Sequence, residues 1–253
     1  MVRLKPLMAG LGLLALAACE APQKGAVRND AAFERELRAY LLEHPEVIRE
    51  AAAKLQAKKA AEARAVLAQA KSALERDPRD FVANPGGRVT VVQFFDYRCP
   101  YSRAVAPDVD RLIAANRDVR FVFKQYPVFG SASDYAARVA LTPQGKARGL
   151  ELHRALMAQK DLNVVRTDRI LSQQGLKPRE VDAAARDPAL AEQIADTREL
   201  ALKLDLKGTP TFVVAGEIIP GADIVRLEAA IARARASNLS SVGEALTRNP
   251  FGH

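Results

Sequence analysis

The stretch "RVTVVQFFDY", residues 88–97, constrains this chain more than any other. Its run of valine and phenylalanine, with hardly a polar break, is that of a strand buried on both faces, which needs a sheet with a layer packed on each side. Arg98-Cys99-Pro100-Tyr101-Ser102 follows at once. Proline suits the first turn of a helix, where its missing N–H would be unpaired anyway. The pattern therefore predicts a helix from Pro100 to about Asn116 and a second strand over 119–126 ("VRFVFKQY"). A β-α-β order of this kind calls for a parallel pair joined by a right-handed crossover.

Beyond that unit, residues 131–206 are helical in pattern, in segments near 131–142, 144–158, 163–175, 177–186 and 189–204. "GTPTFVVAGEIIPG" (208–221) reads as two short strands turning at Ala215-Gly216-Glu217, and a last helix runs from Asp223 to about Ala236. Upstream, Asp30 is placed to cap a helix through about Glu43, with Phe33, Leu37, Tyr40 and Leu41 on one stripe. His44-Pro45 breaks it. A second helix, Pro45 to about Glu75, would be about 45 Å long. Its stripe (Ile48, Ala52, Leu55, then Leu67, Ala70, Leu74) weakens in the middle, so no heptad is sustained.

The expected class is α/β: a β-α-β unit, an inserted helical domain and a β-β-α unit, preceded by a long helical arm. The expected divisions are a leader over 1–18, a tether over 19–29, the arm over 30–76 and a punctuated linker, "DPRDFVANPGG", over 77–87. The main domain takes 88–126 and 207–236, the insertion 127–206, and a loosely held tail 237–253.

The leader has Arg3 and Lys5 before the short apolar run "LMAGLGLLALAA" and ends in Leu16-Ala17-Ala18-Cys19. That ending resembles the bacterial lipobox, whose cysteine receives lipid and becomes the mature N-terminus. The expectation is an exported, periplasmic chain anchored to a membrane at Cys19. Glu20, where an aspartate would resemble the inner-membrane retention signal, favours the outer membrane. Only two cysteines are present, so Cys99 is left as one free thiol with no partner for an internal disulfide.

The formal charge of +8 is spread along helices without a basic block, which argues against nucleic-acid binding. His44, His153 and His253 are too scattered for a metal cluster, and none is expected. His153, in a helical segment, reads as a packing or surface residue.

Thiols react as thiolates. The N–H groups and positive dipole end of a helix favour an anion at the position Cys99 would occupy. "VVQFFDYRCPYS" resembles the strand and Cys-Pro-x-Cys helix of the DsbA-like branch of the thioredoxin superfamily, and "KGTPTFVV" resembles that family's cis-proline loop. The arm, with "LLEHPEVIREA", is similar to the suppressor-of-copper-sensitivity protein C type.

The resemblance implies a thioredoxin-like fold with Cys99 as catalytic thiol. It implies a cis bond at Thr209-Pro210, and substrate-binding roles for Pro100, Tyr101, Thr209 and Pro210. It also implies homo-oligomer formation through the arm.

Two departures bear on mechanism. Ser102 stands where the resolving cysteine would be, and Gln93 replaces the family's buried acid six residues before Cys99. A hydroxyl cannot resolve a mixed disulfide, though Ser102 could donate a hydrogen bond to the Cys99 thiolate. An acid that serves the second cysteine has no task without it, so the two departures agree.

The expected function is monothiol reduction or isomerisation of disulfides in exported proteins. No bound cofactor is expected; glutathione or a membrane reductase could act as external thiol source. Two alternatives stay open: a non-catalytic thioredoxin-fold binding or chaperone module, and a glutathione-dependent enzyme of the kappa-transferase type.

Overall fold

The computed structural model describes residues 31–247, with side chains through Leu239. The leader, Cys19 and the tether lie outside the described residues, as do residues 248–253. The described residues fall into two compact units, divided between Ala57 and Lys58. In the first, α1 (Ala31–Glu43) is followed by α2 (Glu46–Glu75), whose later part belongs to the second unit. Tyr40 stacks near the His44 ring at 4.6 Å, and Phe33, Leu37, Tyr40, Leu42, Ile48 and Leu55 are exposed. Among the described residues no helix is long and apolar enough to cross a membrane.

The second unit is built on a five-stranded sheet of order β1-β3-β2-β4-β5, formed by β1 (Phe81–Ala83), β2 (Val89–Phe95), β3 (Val119–Gln125), β4 (Thr211–Val214) and β5 (Glu217–Pro220). Central β2 runs parallel to β3, with Gln93 opposite Phe123, and antiparallel to β4, with Gln93 opposite Phe212. Helix α3 (Pro100–Ala115) makes the crossover from β2 to β3. Residues 131–203 form α4 (Ser131–Leu141), α5 (Pro143–Arg148), α6 (Leu150–Met157), α7 (Val164–Gln173), α8 (Pro178–Ala185) and α9 (Pro188–Lys203); α10 (Ile224–Thr247) is the last described element. The thioredoxin-like α/β class is thus the observed one.

Alternation along β2 divides the core in two. Val91 and Phe95 face α3, α10 and the inserted helices, joining Val105, Val109, Leu152, Leu156, Leu227 and Ile231. Val92 and Phe94 face the opposite layer, with Leu67, Ala70 and Leu74 of α2, Leu200 and Ala201 of α9, and Leu204 at the C-cap of α9. The later half of the helix read as an arm is therefore one cover of the sheet.

Three element boundaries differ from the pattern-based expectation. The punctuated segment 77–87 holds β1, which pairs antiparallel with β3. The segment 144–158 is two helices, broken at Gly149 (φ 50°), where a Cβ would meet the Phe81 ring at 2.6 Å. The last helix, expected to stop near Ala236, continues to Thr247. The turn between β4 and β5 was legible: Ala215 and Gly216 both take positive φ (48° and 82°), as a two-residue hairpin turn of the I′ kind requires.

Beside β1 a buried charge cluster ties α2 to the sheet. Lys124 Nζ on β3 donates to the Ala73 carbonyl of α2 at 2.6 Å and lies 2.5 Å from Asp80 Oδ2. Arg120 donates to the Glu75 carbonyl, so two cations meet the negative end of α2. Burial raises the Asp80 carboxyl above its ordinary range despite the pull of Lys124. Removing one member of such a pair strands the other charge, at a cost of about 3–5 kcal/mol. Lys124→Met should lower the free energy of urea unfolding by that amount, and adding Asp80→Leu should recover most of it. An effect of the single substitution below about 1 kcal/mol would rule this account out.

Candidate active site

Cys99 is the N-cap of α3, with extended backbone (φ −65°, ψ 121°) and Pro100 at the first helical position. The strand-to-helix junction inferred from sequence is where the thiol stands. Its Sγ donates to the Thr209 carbonyl at 3.1 Å, and the Thr209–Pro210 bond is cis, as the resemblance implied. The two loops, 110 residues apart in sequence, thereby meet at the sulfur. Cys99 is only 2% exposed and forms no disulfide. Tyr101 projects outward at 69% exposure, Pro100 is exposed and Pro210 is buried.

Ser102 and Gln93 lie in the core layer behind the thiol. Ser102 shares an α3 face with Val105 and Val109, and Gln93 shares a β2 face with Val91 and Phe95, so both are directed into the same sheet–helix gap. The expected bond from Ser102 to Cys99 does not form. Ser102 Oγ has no hydrogen-bond partner, and neither does Gln93 Nε2 or Oε1. The sulfur is instead satisfied by Thr209.

Asp96 was missed by sequence reasoning and is the best-connected side chain of the loop. Its Oδ1 accepts from Arg98 N (2.6 Å) and Ser133 Oγ (2.8 Å); its Oδ2 accepts from Val128 N (2.6 Å) and Phe129 N (2.9 Å). Its backbone carbonyl takes the Cys99 N–H at 3.2 Å. The Arg98 guanidinium adds a second staple, to the Phe129 carbonyl at 2.7 Å. Val128 and Phe129 are about half exposed and form a fixed apolar lip. The one sequence signal was an aspartate at a strand end, which favours a bond to the backbone two residues on.

His153 of α6 lies in the core as a packing residue. Its ring sits against Phe95 (5.0 Å), Phe123 (4.8 Å) and Tyr97 (5.5 Å), with Nδ1 3.3 Å from the Tyr97 hydroxyl, which also accepts from Gln125. Burial, aided by Arg154, pushes its pKa down to about 3. Among the described residues no group of His, Cys, Asp or Glu is placed to hold a metal ion.

The profile of the DSBA-like thioredoxin domain family matches residues 90–231, more than half of the chain. The profile of the copper resistance protein ScsC N-terminal domain matches residues 30–62. A thioredoxin-like oxidoreductase from Silicibacter pomeroyi is 38% identical, with a TM-score of 0.62 over 65% of this chain and 97% of that one. Proteus mirabilis ScsC in a transitional conformation is 29% identical, with a TM-score of 0.63 over 82% and 99%. A periplasmic thioredoxin-like protein from Salmonella enterica serovar Typhimurium is 29% identical, with a TM-score of 0.60 over 66% and 95%. The chain also spans about a quarter of a curated relative, the Na(+)/H(+) antiporter NhaA 3 of Salinispora tropica. That match is 31% identical over 170 residues, covering 64% of this chain and 26% of the antiporter.

Two outcomes are expected from this geometry. The unfolded chain binds a proton at His153 near pH 6.5 and the fold only near 3, so stability falls as pH drops through that window, by up to about 1.4 kcal/mol per unit. His153→Phe keeps the ring contacts and should move the acid-unfolding midpoint to lower pH; an unchanged midpoint would contradict the burial argument. Gln93→Met removes two unpartnered buried atoms and should stabilise by about 1 kcal/mol in urea titration. A comparable loss would mean that the amide has partners in solution.

Proposed function

We propose, for a chain that belongs to the DSBA-like thioredoxin domain family, that it is a monothiol thiol-disulfide oxidoreductase reducing or isomerising disulfides of exported proteins. The observation that carries this reading is Cys99 at the helix N-terminus, hydrogen-bonded to the carbonyl before cis-Pro210, with serine three residues on. The thiolate attacks one sulfur of a substrate disulfide. A Cys99–substrate S–S bond forms, the substrate S–S bond breaks, and the second substrate sulfur leaves as thiolate. Ser102 cannot expel the substrate. Release needs the substrate's own freed thiolate, which completes isomerisation, or an external thiol such as glutathione or a membrane reductase, which completes reduction.

The surroundings proposed for this chemistry follow from the leader and the arm. Lipid attachment at Cys19 would hold the chain at a periplasmic membrane face, the outer membrane in preference to the inner. The similarity to a periplasmic thioredoxin-like protein supports the compartment. The exposed apolar residues of α1 and early α2, matched by the ScsC N-terminal profile, support homo-oligomer formation through the arm. Pro100, Tyr101, Thr209 and Pro210 would contact substrate around the thiol.

Burial of Cys99 favours a second reading, a binding or chaperone module that uses the same groove without exchange. Replacing Cys99 with alanine separates the two, because a binder keeps its activity.

Mixed with a peptide carrying an activated disulfide, the parent chain should form an adduct that persists until glutathione is added. Ser102→Cys should release the peptide unaided and close a disulfide between Cys99 and the introduced thiol, read as loss of free thiol. Spontaneous release from the parent chain would refute a monothiol mechanism.

A further inference from the structure

Asp96 is 1% exposed and has no cation among its hydrogen-bond partners. A carboxylate offers about four lone-pair sites, and donors occupy all four: three backbone N–H groups and one hydroxyl. Those donors come from three places. Arg98 N belongs to the loop that carries Cys99, Val128 N and Phe129 N to the apolar lip after β3, and Ser133 Oγ to the first turn of α4, where the inserted helices begin. The arrangement exceeds what a turn requires, since the bond to Arg98 alone completes the local turn.

We propose that Asp96 is a positioning residue for thiol exchange: it clamps the Cys99 loop to the Val128–Phe129 lip so that an apolar segment of the substrate polypeptide docks beside the sulfur. The inference rests on the exchange reading above. It adds a substrate preference, an extended polypeptide with a bulky apolar side chain next to its cysteine. The lip, tied to the Cys99 loop through Asp96 and Arg98, supplies apolar surface at half exposure, and Tyr101, two residues after the thiol, is exposed as well. A lip held by hydrogen bonds needs no ordering when the peptide arrives, and sparing that ordering favours binding. Asparagine cannot substitute, because it offers one acceptor oxygen and turns an amide N–H₂ toward donors.

The test compares the parent chain with D96N, S133A and S133T. The probe is a peptide with phenylalanine beside a cysteine activated as a 2-thiopyridyl disulfide. Cys99 attacks the peptide sulfur, the Cys99–peptide S–S bond forms, and pyridine-2-thione leaves and is read by absorbance. In D96N the half-saturating peptide concentration should rise about tenfold with the limiting rate changed much less. Alkylation by iodoacetamide, too small to use the lip, should change less than about twofold. Amide hydrogen exchange should show Val128 and Phe129 losing protection about tenfold while β2 and β3 keep theirs.

S133A removes one of the four bonds and should raise the half-saturating concentration about twofold, with S133T restoring it. Should D96N fail to fold, the serine pair decides: S133A matching the parent chain overturns the proposal. A folded D96N that keeps protection at Val128 and Phe129, or whose peptide and iodoacetamide rates fall in equal proportion, also overturns it. If the parent chain itself shows no Cys99-dependent exchange, the exchange reading fails, and the hydrogen-exchange comparison alone decides whether Asp96 holds the lip.

Discussion

Pairing of β2 with β3 on one edge and β4 on the other holds this molecule together. The register that sets Gln93 opposite both Phe123 and Phe212 also sets the ends of those strands. With β2 ending at Phe95, the chain must turn and start α3 at Pro100, which puts Cys99 at the cap. With β4 starting at Thr211, the preceding Thr209–Pro210 bond arrives beside it, close enough for the Thr209 carbonyl to accept from the sulfur. The central strand tolerates this because both its faces are dry. Val91 and Phe95 pack under α3 and α10, and Val92 and Phe94 under α2 and α9. A slip of one residue would exchange the two faces and move the sulfur away from its carbonyl partner.

The chemistry of the site follows from which polar groups the fold satisfies. Asp96 has every lone-pair site filled, whereas Ser102 and Gln93, buried just behind the thiol, have none of theirs engaged. The fold therefore places its ordering hydrogen bonds on the loops in front of Cys99 rather than on the layer behind it. That distribution suits the exchange proposed above, in which the sulfur accepts a substrate from outside and has no second thiol to answer it from within.

Much of this was legible in the residues. The uninterrupted apolar run of β2, the Cys-Pro start of α3 and the Ala215-Gly216 turn each carry a local physical signal, and each element stands where that signal put it. Three residues of β1 carry no periodicity, so nothing distinguished them from the linker around them. The break at Gly149 depends on the ring of Phe81, contributed by that same unrecognised strand. The hydrogen bond expected from Ser102 to Cys99 failed because helical spacing turns Ser102 onto the core face of α3, beside Val105 and Val109, while the sulfur finds the Thr209 carbonyl. Asp96 was passed over because three of the four groups it binds are distant in sequence, Val128, Phe129 and Ser133.

By itself the sequence determined the order of elements apart from β1 and the helix break at Gly149, the thiol at a helix start, and Cys99 as the one cysteine of the β-α-β unit. Each of these is a property of neighbouring residues, and the backbone and its side-chain periodicity express them wherever the chain sits. Tertiary structure alone decided that the later half of α2 covers the sheet, that Lys124 and Asp80 are buried together, and that Asp96 joins the thiol loop to the lip. Those depend on groups tens of residues apart meeting in a space from which water is excluded, and only the closed sheet creates that space.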